Sequence, residues 1–132
     1  MIVVFGATGK TGGEAARGLL QAGKQVRVVG RDVSRLQPLV DAGAEAVTAD
    51  LEDARAAERA LGGAEAAYLL IPPNFGVDDF RDYQRKLVRA LSTAVDRSGI
   101  GRVVLLSSLG ANHSSGTGPV VGLHELEKEL KK

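Results

Sequence analysis

The chain has 132 residues, of which 44% are hydrophobic and 25% charged, with no cysteine and a formal net charge of +1. That length sets one domain with a core of its own. The lack of cysteine excludes disulfides and thiolate metal sites, and the near-balanced charge gives no electrostatic case for nucleic acid or an anionic membrane. The apolar run Ile2–Phe5 stops at Gly6 and has no basic segment before it. It reads as neither a signal peptide nor a membrane span, and a cytoplasmic protein is expected.

Ile2–Phe5 is instead the kind of short apolar run found in strands covered on both faces. It runs into Gly6, Gly9 and Gly12, three residues apart, and then into a helical pattern over 12–22 that stops at Gly23. A strand, a glycine turn and a helix N-terminus build an anion site. The glycines let a diphosphate approach the backbone, and the free N–H groups of the first helical turn point at it. The stretch Gly6, Thr8, Gly9, Lys10, Thr11 and Gly12 is therefore the expected diphosphate loop of a dinucleotide site. Ala15, Ala16 and Gly18 are small enough to let the helix lie close to the sheet. The competing explanation is close helix–strand packing alone, and the spacing G-x-x-G-x-x-G differs from the commonest G-x-G-x-x-G fingerprint. A P-loop is excluded, because its first glycine would fall at position 4, which is Val4.

A strand over 25–29 follows and ends in Val29-Gly30-Arg31-Asp32. An acidic residue here accepts hydrogen bonds from an adenosine ribose, whereas an arginine binds a 2′-phosphate. Arg31 thus argues for NADP(H) over NAD(H), with Lys10 and Arg35 placed to assist. Asp32 leaves the ribose role open, and both charges also fit a solvated loop. After a helix over 34–42, ending at Gly43, a strand over 46–48 leads to Asp50 and Leu51. The Asp50 carboxylate can accept from the adenine amino group and the Leu51 backbone can bond the ring edge; Asp50 can equally cap the helix over 53–61.

A fourth strand over 67–71 exits through Ile71-Pro72-Pro73-Asn74. The prolines stiffen the exit and remove donors, which suits a wall beside the nicotinamide ribose formed by Ile71, Pro72 and Pro73. The longest helix, over 78–97, carries Phe80, Tyr83, Leu87, Leu91 and Val95 on one apolar face. A fifth strand over 103–106 leads to Ser107 and Ser108. A polar loop and a last helix over 122–131 close the chain. Strict strand–helix alternation predicts an α/β, doubly wound parallel sheet in three layers, of order 3-2-1-4-5, with the ligand across the crevice between strands one and four.

Taken together, Gly6-Ala-Thr-Gly-Lys-Thr-Gly12, Val29-Gly-Arg-Asp32, Asp50-Leu51, Leu70-Ile-Pro-Pro-Asn74 and Val103-Val-Leu-Leu-Ser-Ser-Leu-Gly-Ala111 resemble, in kind and order, the NmrA-like proteins. These are atypical short-chain dehydrogenases/reductases. The resemblance spans essentially the whole chain. It implies an NAD(P)-binding Rossmann fold over 1–132, usually with NADP(H) preferred, and one of two functions. One is hydride transfer to a quinone or small carbonyl; the alternative is a non-catalytic NADP(H) redox sensor acting on a partner.

Active short-chain reductases use a serine after the fifth strand, then a tyrosine and a lysine four apart on the next helix. The resemblance puts Ser108 (or Ser107) at the serine position, His124 where the tyrosine would be, and Lys128 at the lysine. An imidazole can donate a proton near neutral pH. The plainer reading is an amphipathic helix packed through Leu123, Leu126 and Leu130. His113 reads as an exposed loop residue, and two histidines without a third ligand make no metal site. Family members also carry a C-terminal part that supplies the substrate pocket and is not expected here. An apolar edge exposed in its place would favour a homodimer.

Overall fold

The computed structural model describes residues 1–71, 78–106, 111–112, 114 and 120–132. Five strands, β1 (Ile2–Phe5), β2 (Val26–Gly30), β3 (Glu45–Thr48), β4 (Ala66–Leu69) and β5 (Arg102–Leu105), alternate with five helices. The helices are α1 (Lys10–Gln21), α2 (Val33–Asp41), α3 (Ala54–Leu61), α4 (Phe80–Ser98) and α5 (Val120–Leu130). All strand pairs are parallel, and the sheet order is β3-β2-β1-β4-β5. The predicted order and three-layer arrangement hold.

Period-two alternation divides the core between the two faces of the sheet. Val4, Val26 and Val28 pack with Ala16 of α1 and with Leu36 and Leu39 of α2. Val3, Phe5, Val29, Ala67 and Leu69 pack on the other face with Ala57 and Leu61 of α3, Leu91 and Ala94 of α4, and Leu126 of α5. On the predicted apolar stripe of α4, Tyr83, Leu87 and Leu91 are buried, while Phe80 and Val95 are half-buried. The outer strand β5 is less covered: Val104, paired with Tyr68 on β4, is 64% exposed.

Element ends follow local chemistry. Asp32, Asp53 and Asp79 cap α2, α3 and α4, each accepting from a backbone N–H of the first turn. The chain after α4 turns on Gly99, at φ 68, where a side chain would be strained. Some boundaries differ from the sequence reading. β2 runs one residue further because Gly30 pairs with Thr48. β4 ends at Leu69, short of Ile71, yet Leu69 still accepts from the N–H of Leu106 at 2.9 Å.

The small residues of α1 also divide differently from expectation. Gly12, Gly13 and Ala16 are buried against the sheet and loop. Gly18 is exposed, and a Cβ there would meet nothing within 4 Å. Helical geometry turns position 18 away from the stripe formed by 12, 13 and 16, so Gly18 does not help the helix approach the sheet.

Arg27 ties the opposite end of the sheet together. It pairs with Glu45 on β3 at 3.2 Å and donates to the carbonyls of Ala60 and Gly62 at the end of α3. This clamp lies away from the C-terminal strand ends, where open α/β sheets bind ligands.

Candidate functional site

The glycine loop is built by close backbone contact. Gly6 leaves β1 at φ 66, a conformation that suits glycine. Its carbonyl accepts from the N–H of Gly9 at 3.0 Å, which closes the turn. A Cβ on Gly12 would lie 2.3 Å from that same carbonyl oxygen, and one on Gly9 would lie 3.3 Å from it. The start of α1 thus rests directly on the turn, and Gly12 is the residue that permits it.

Gly9 is the N-cap of α1, and no side chain caps this helix, in contrast to the aspartate caps of α2, α3 and α4. The first N–H to close a helical turn is that of Gly13, onto Gly9 at 2.9 Å. Ahead of it, the N–H groups of Lys10, Thr11 and Gly12 are those a helix start leaves without an internal partner. An oxyanion seated there satisfies them and meets the positive end of the helix dipole. Lys10 and Thr11 are both exposed at this end.

Beside the loop lies a cavity of about 240 Å³. One wall is Gly6 and Thr8 with the end of β2, including Gly30 and Arg31. The second is the segment after β3, with Asp50, Leu51 and Glu52. The third is Tyr83 and Leu87 of α4. Gly30 is fitted closely here, since a Cβ would lie 3.2 Å from the Thr8 methyl.

Two acidic residues that the sequence left with open roles are placed differently about the cavity. Asp32 caps α2: its Oδ1 accepts from the Ser34 N–H at 2.9 Å and the Ser34 hydroxyl at 2.6 Å. These bonds hold its carboxyl below the ordinary aspartate range. Asp32 does not line the cavity, whereas the exposed Arg31 does. Asp50, for its part, does not cap α3; Asp53 does. The Oδ1 of Asp50 accepts from the Glu52 N–H at 3.0 Å in a local turn, which orients the carboxylate on the cavity wall.

Other expected residues fall elsewhere. Ile71 is half-buried, packs against the core on the α3–α4 side and does not line the cavity. Pro72 and Pro73 lie outside the described residues, as do Ser107, Ser108 and His113. His124 and Lys128 sit one turn apart on α5, also away from the cavity. Lys128 is exposed, whereas His124 is half-buried and its Nδ1 lies 2.7 Å from the Ala111 carbonyl oxygen. Because a carbonyl only accepts, Nδ1 is the donor in this contact. Helix α5 is docked on α4 by the Arg81–Glu125 ion pair and by Gly122, where a Cβ would lie 2.7 Å from the Gln84 amide.

Sequence reasoning missed Tyr83 and Glu52 as cavity residues. Tyr83 stood only on an apolar helical stripe. Nothing in its spacing showed that the stripe's first turn reaches the strand ends.

The sequence pattern of a family described as NAD(P)H-binding matches residues 6–130. The chain belongs to this NAD(P)H-binding family. An NAD(P)H azoreductase of Xenophilus azovorans is 31% identical over 111 residues, covering 84% of this chain and 36% of that protein. An NADPH-dependent quinone oxidoreductase of Escherichia coli, solved with NADPH, has a TM-score of 0.73 at 27% identity, covering 99% of this chain and 44% of its own. A triphenylmethane reductase of Citrobacter sp., solved with NADP(H), has a TM-score of 0.84 at 19% identity, covering 99% and 45%; that likeness is one of fold. The chain therefore spans less than half the length of these relatives. The NAD(P)-binding Rossmann fold expected from the sequence is thus borne out, with its five-stranded 3-2-1-4-5 sheet. Among the described residues, no helix of this NAD(P)H-binding domain is long and apolar enough to cross a membrane.

Proposed function

We propose that this domain binds NADP(H) in preference to NAD(H), and that the protein it serves reduces a quinone, azo or related electrophile. The observation that carries the first part is the division of labour after β2. Asp32, the residue able to hold a ribose diol, caps α2 and does not line the cavity, while Arg31 stands on the cavity wall. A guanidinium there matches a 2′-phosphate in charge and in forked geometry. The glycine cradle and the uncapped start of α1 fit the diphosphate, and the cavity fits the adenosine half.

Calorimetric titration with NADP⁺, NADPH, NAD⁺ and NADH at fixed salt tests this reading. The phosphorylated forms should bind at least about tenfold more tightly, one charge-assisted contact being worth roughly 1.5–3 kcal/mol. Equal affinities would overturn the preference, and absence of binding would overturn the site.

The second part rests on the azoreductase and quinone oxidoreductase relatives. Bound NADPH supplies a hydride, and the protein's tasks are to orient the nicotinamide, exclude water and deliver a proton. His124 is our proposed proton donor, its ring oriented by the Ala111 carbonyl. His124→Phe should leave NADPH affinity unchanged and lower quinone-dependent NADPH oxidation by about 100-fold or more, as expected for loss of a general acid. Unchanged turnover would clear His124 of that role. Binding with no turnover of any quinone by the unaltered chain would favour the sensor reading.

A further inference from the structure

The formal net charge of +1 conceals an uneven distribution. Helices α3 and α4 pack side by side through Ala57, Ala60, Leu91 and Ala94, and two grooves open along their seam. One, of about 450 Å³, is lined by Arg55, Arg59 and Arg97, with Glu58 on its wall. The other is lined by Lys86 and Arg89, with Glu52. Five cations thus face two carboxylates along one seam. Arg55, Arg59, Arg89 and Arg97 are exposed, and among the described residues none of them has an ion-pair partner. Lys86 is paired with Asp82, at 3.1 Å.

Helix electrostatics account for only part of this cluster. Arg59 and Arg97 stand in the last turns of α3 and α4, where a cation complements the helix dipole. Arg55 does not fit that account. It follows the Asp53 cap in the first turn of α3, at the positive end of the dipole. Arg59 is not needed as a cap either, because the Ala60 and Gly62 carbonyls accept from Arg27.

We propose that the α3–α4 seam is a docking surface for an extended acidic segment of a partner protein. Guanidiniums bind carboxylates through paired, charge-assisted hydrogen bonds, and here they stand in a row with no internal carboxylate taking them up. From Lys86 to Arg97, α4 advances about 16 Å, the length of about five residues of extended chain. The two glutamates favour a peptide over a nucleic acid. They can accept from peptide N–H groups, whereas a phosphodiester chain has no such donors and is repelled. Among the described residues, no aromatic side chain lines either groove, so a base finds no ring to stack on. The competing role is a charged face that only water covers.

Fluorescein-labelled hexaglutamate, titrated by anisotropy at low salt, is the probe, with labelled hexalysine and an oligothymidylate for comparison. Hexaglutamate should bind saturably and more tightly than either, and its affinity should fall with added salt, which screens exposed charges. The triple variant Arg55→Ala, Arg59→Ala, Arg97→Ala should weaken it about tenfold, a factor of about two for each exposed ion pair. A second triple variant, Arg17→Ala, Lys24→Ala, Lys131→Ala, removes the same charge from exposed positions elsewhere and should bind hexaglutamate like the parent. Both variants change exposed side chains, so thermal melts should show both folded. Absence of hexaglutamate binding overturns the proposal. So do equal losses in the two variants, which would mark a response to net charge alone. Binding of hexalysine as tight as that of hexaglutamate also overturns it. Tighter binding of the oligothymidylate, lost in the Arg55, Arg59, Arg97 variant, would assign the seam to nucleic acid and overturn the peptide reading.

Discussion

Gly12→Ala should cost this protein both its dinucleotide affinity and a substantial part of its stability. The added Cβ would stand 2.3 Å from the Gly6 carbonyl oxygen, 2.8 Å from the Gly6 carbonyl carbon and 3.2 Å from the Ala7 Cα. All three are backbone atoms, so no rotamer change relieves the overlap, and α1 has to move off the turn. Overpacking of this kind costs about 1–3 kcal/mol, and a loss near 2 kcal/mol lowers the Tm of a domain this size by about 8 °C. Moving α1 also carries the N–H groups of Lys10, Thr11 and Gly12 away from the diphosphate. Affinity for all four nicotinamide dinucleotides should therefore fall more than about tenfold, each 1.4 kcal/mol of lost binding being one such factor. Gly18→Ala is the matched control on the same helix. Its Cβ meets nothing within 4 Å, and replacing a glycine inside a helix gains about 0.5–1 kcal/mol. Thermal melts with calorimetry separate the two, and a Gly12→Ala protein that melts and binds like the parent would refute the cradle.

Arg31→Ala should act on one substrate class only. The residue is exposed on the rim of the cavity, and the described residues show it in no ion pair or hydrogen bond, so truncation should leave the fold intact. Affinity for NADP⁺ and NADPH should fall about 10- to 100-fold, the roughly 1.5–3 kcal/mol of a charge-assisted hydrogen bond. NAD⁺ and NADH should be little changed or slightly improved. The salt dependence of NADP(H) binding should weaken in parallel, because an exposed charge pair is screened by added salt. Equal losses for the two cofactor pairs would show that Arg31 supports the pocket generally and does not read the 2′-phosphate. Lys10 and Arg35 then provide the comparison. Lys10 lies at the exposed start of α1, and Arg35 lies on α2 outside the cavity wall.

Much of this protein was determined by rules that act over a few residues. The run Ile2–Phe5 into Gly6 is a strand and turn because buried strands need apolar side chains and a left-handed backbone needs glycine. Strand–helix alternation then set the parallel sheet and, through the right-handed crossover, its order. The placement of Arg31 at the end of β2 was legible for the same reason: in this order, the ends of strands one to three are neighbours. Other features were decided only by tertiary packing. Three glycines of equal appearance in the loop have unequal roles, because only Gly12 faces the Gly6 carbonyl at the closest approach, and Gly18, equally small, faces away. Asp50 and Asp53 are alike as helix-start residues, and the backbone path after β3 gives the cap to Asp53. His124 shows a helical pattern shared by many exposed residues, and its contact with the Ala111 carbonyl depends on a turn outside its own helix. Tyr83 is the furthest from legible. Its spacing on α4 announces a buried face, but whether a buried ring meets only other side chains or also the wall of a ligand cavity depends on where the helix begins relative to the strand ends. Periodicity reports which face of an element is covered, and only the packed structure reports what covers it.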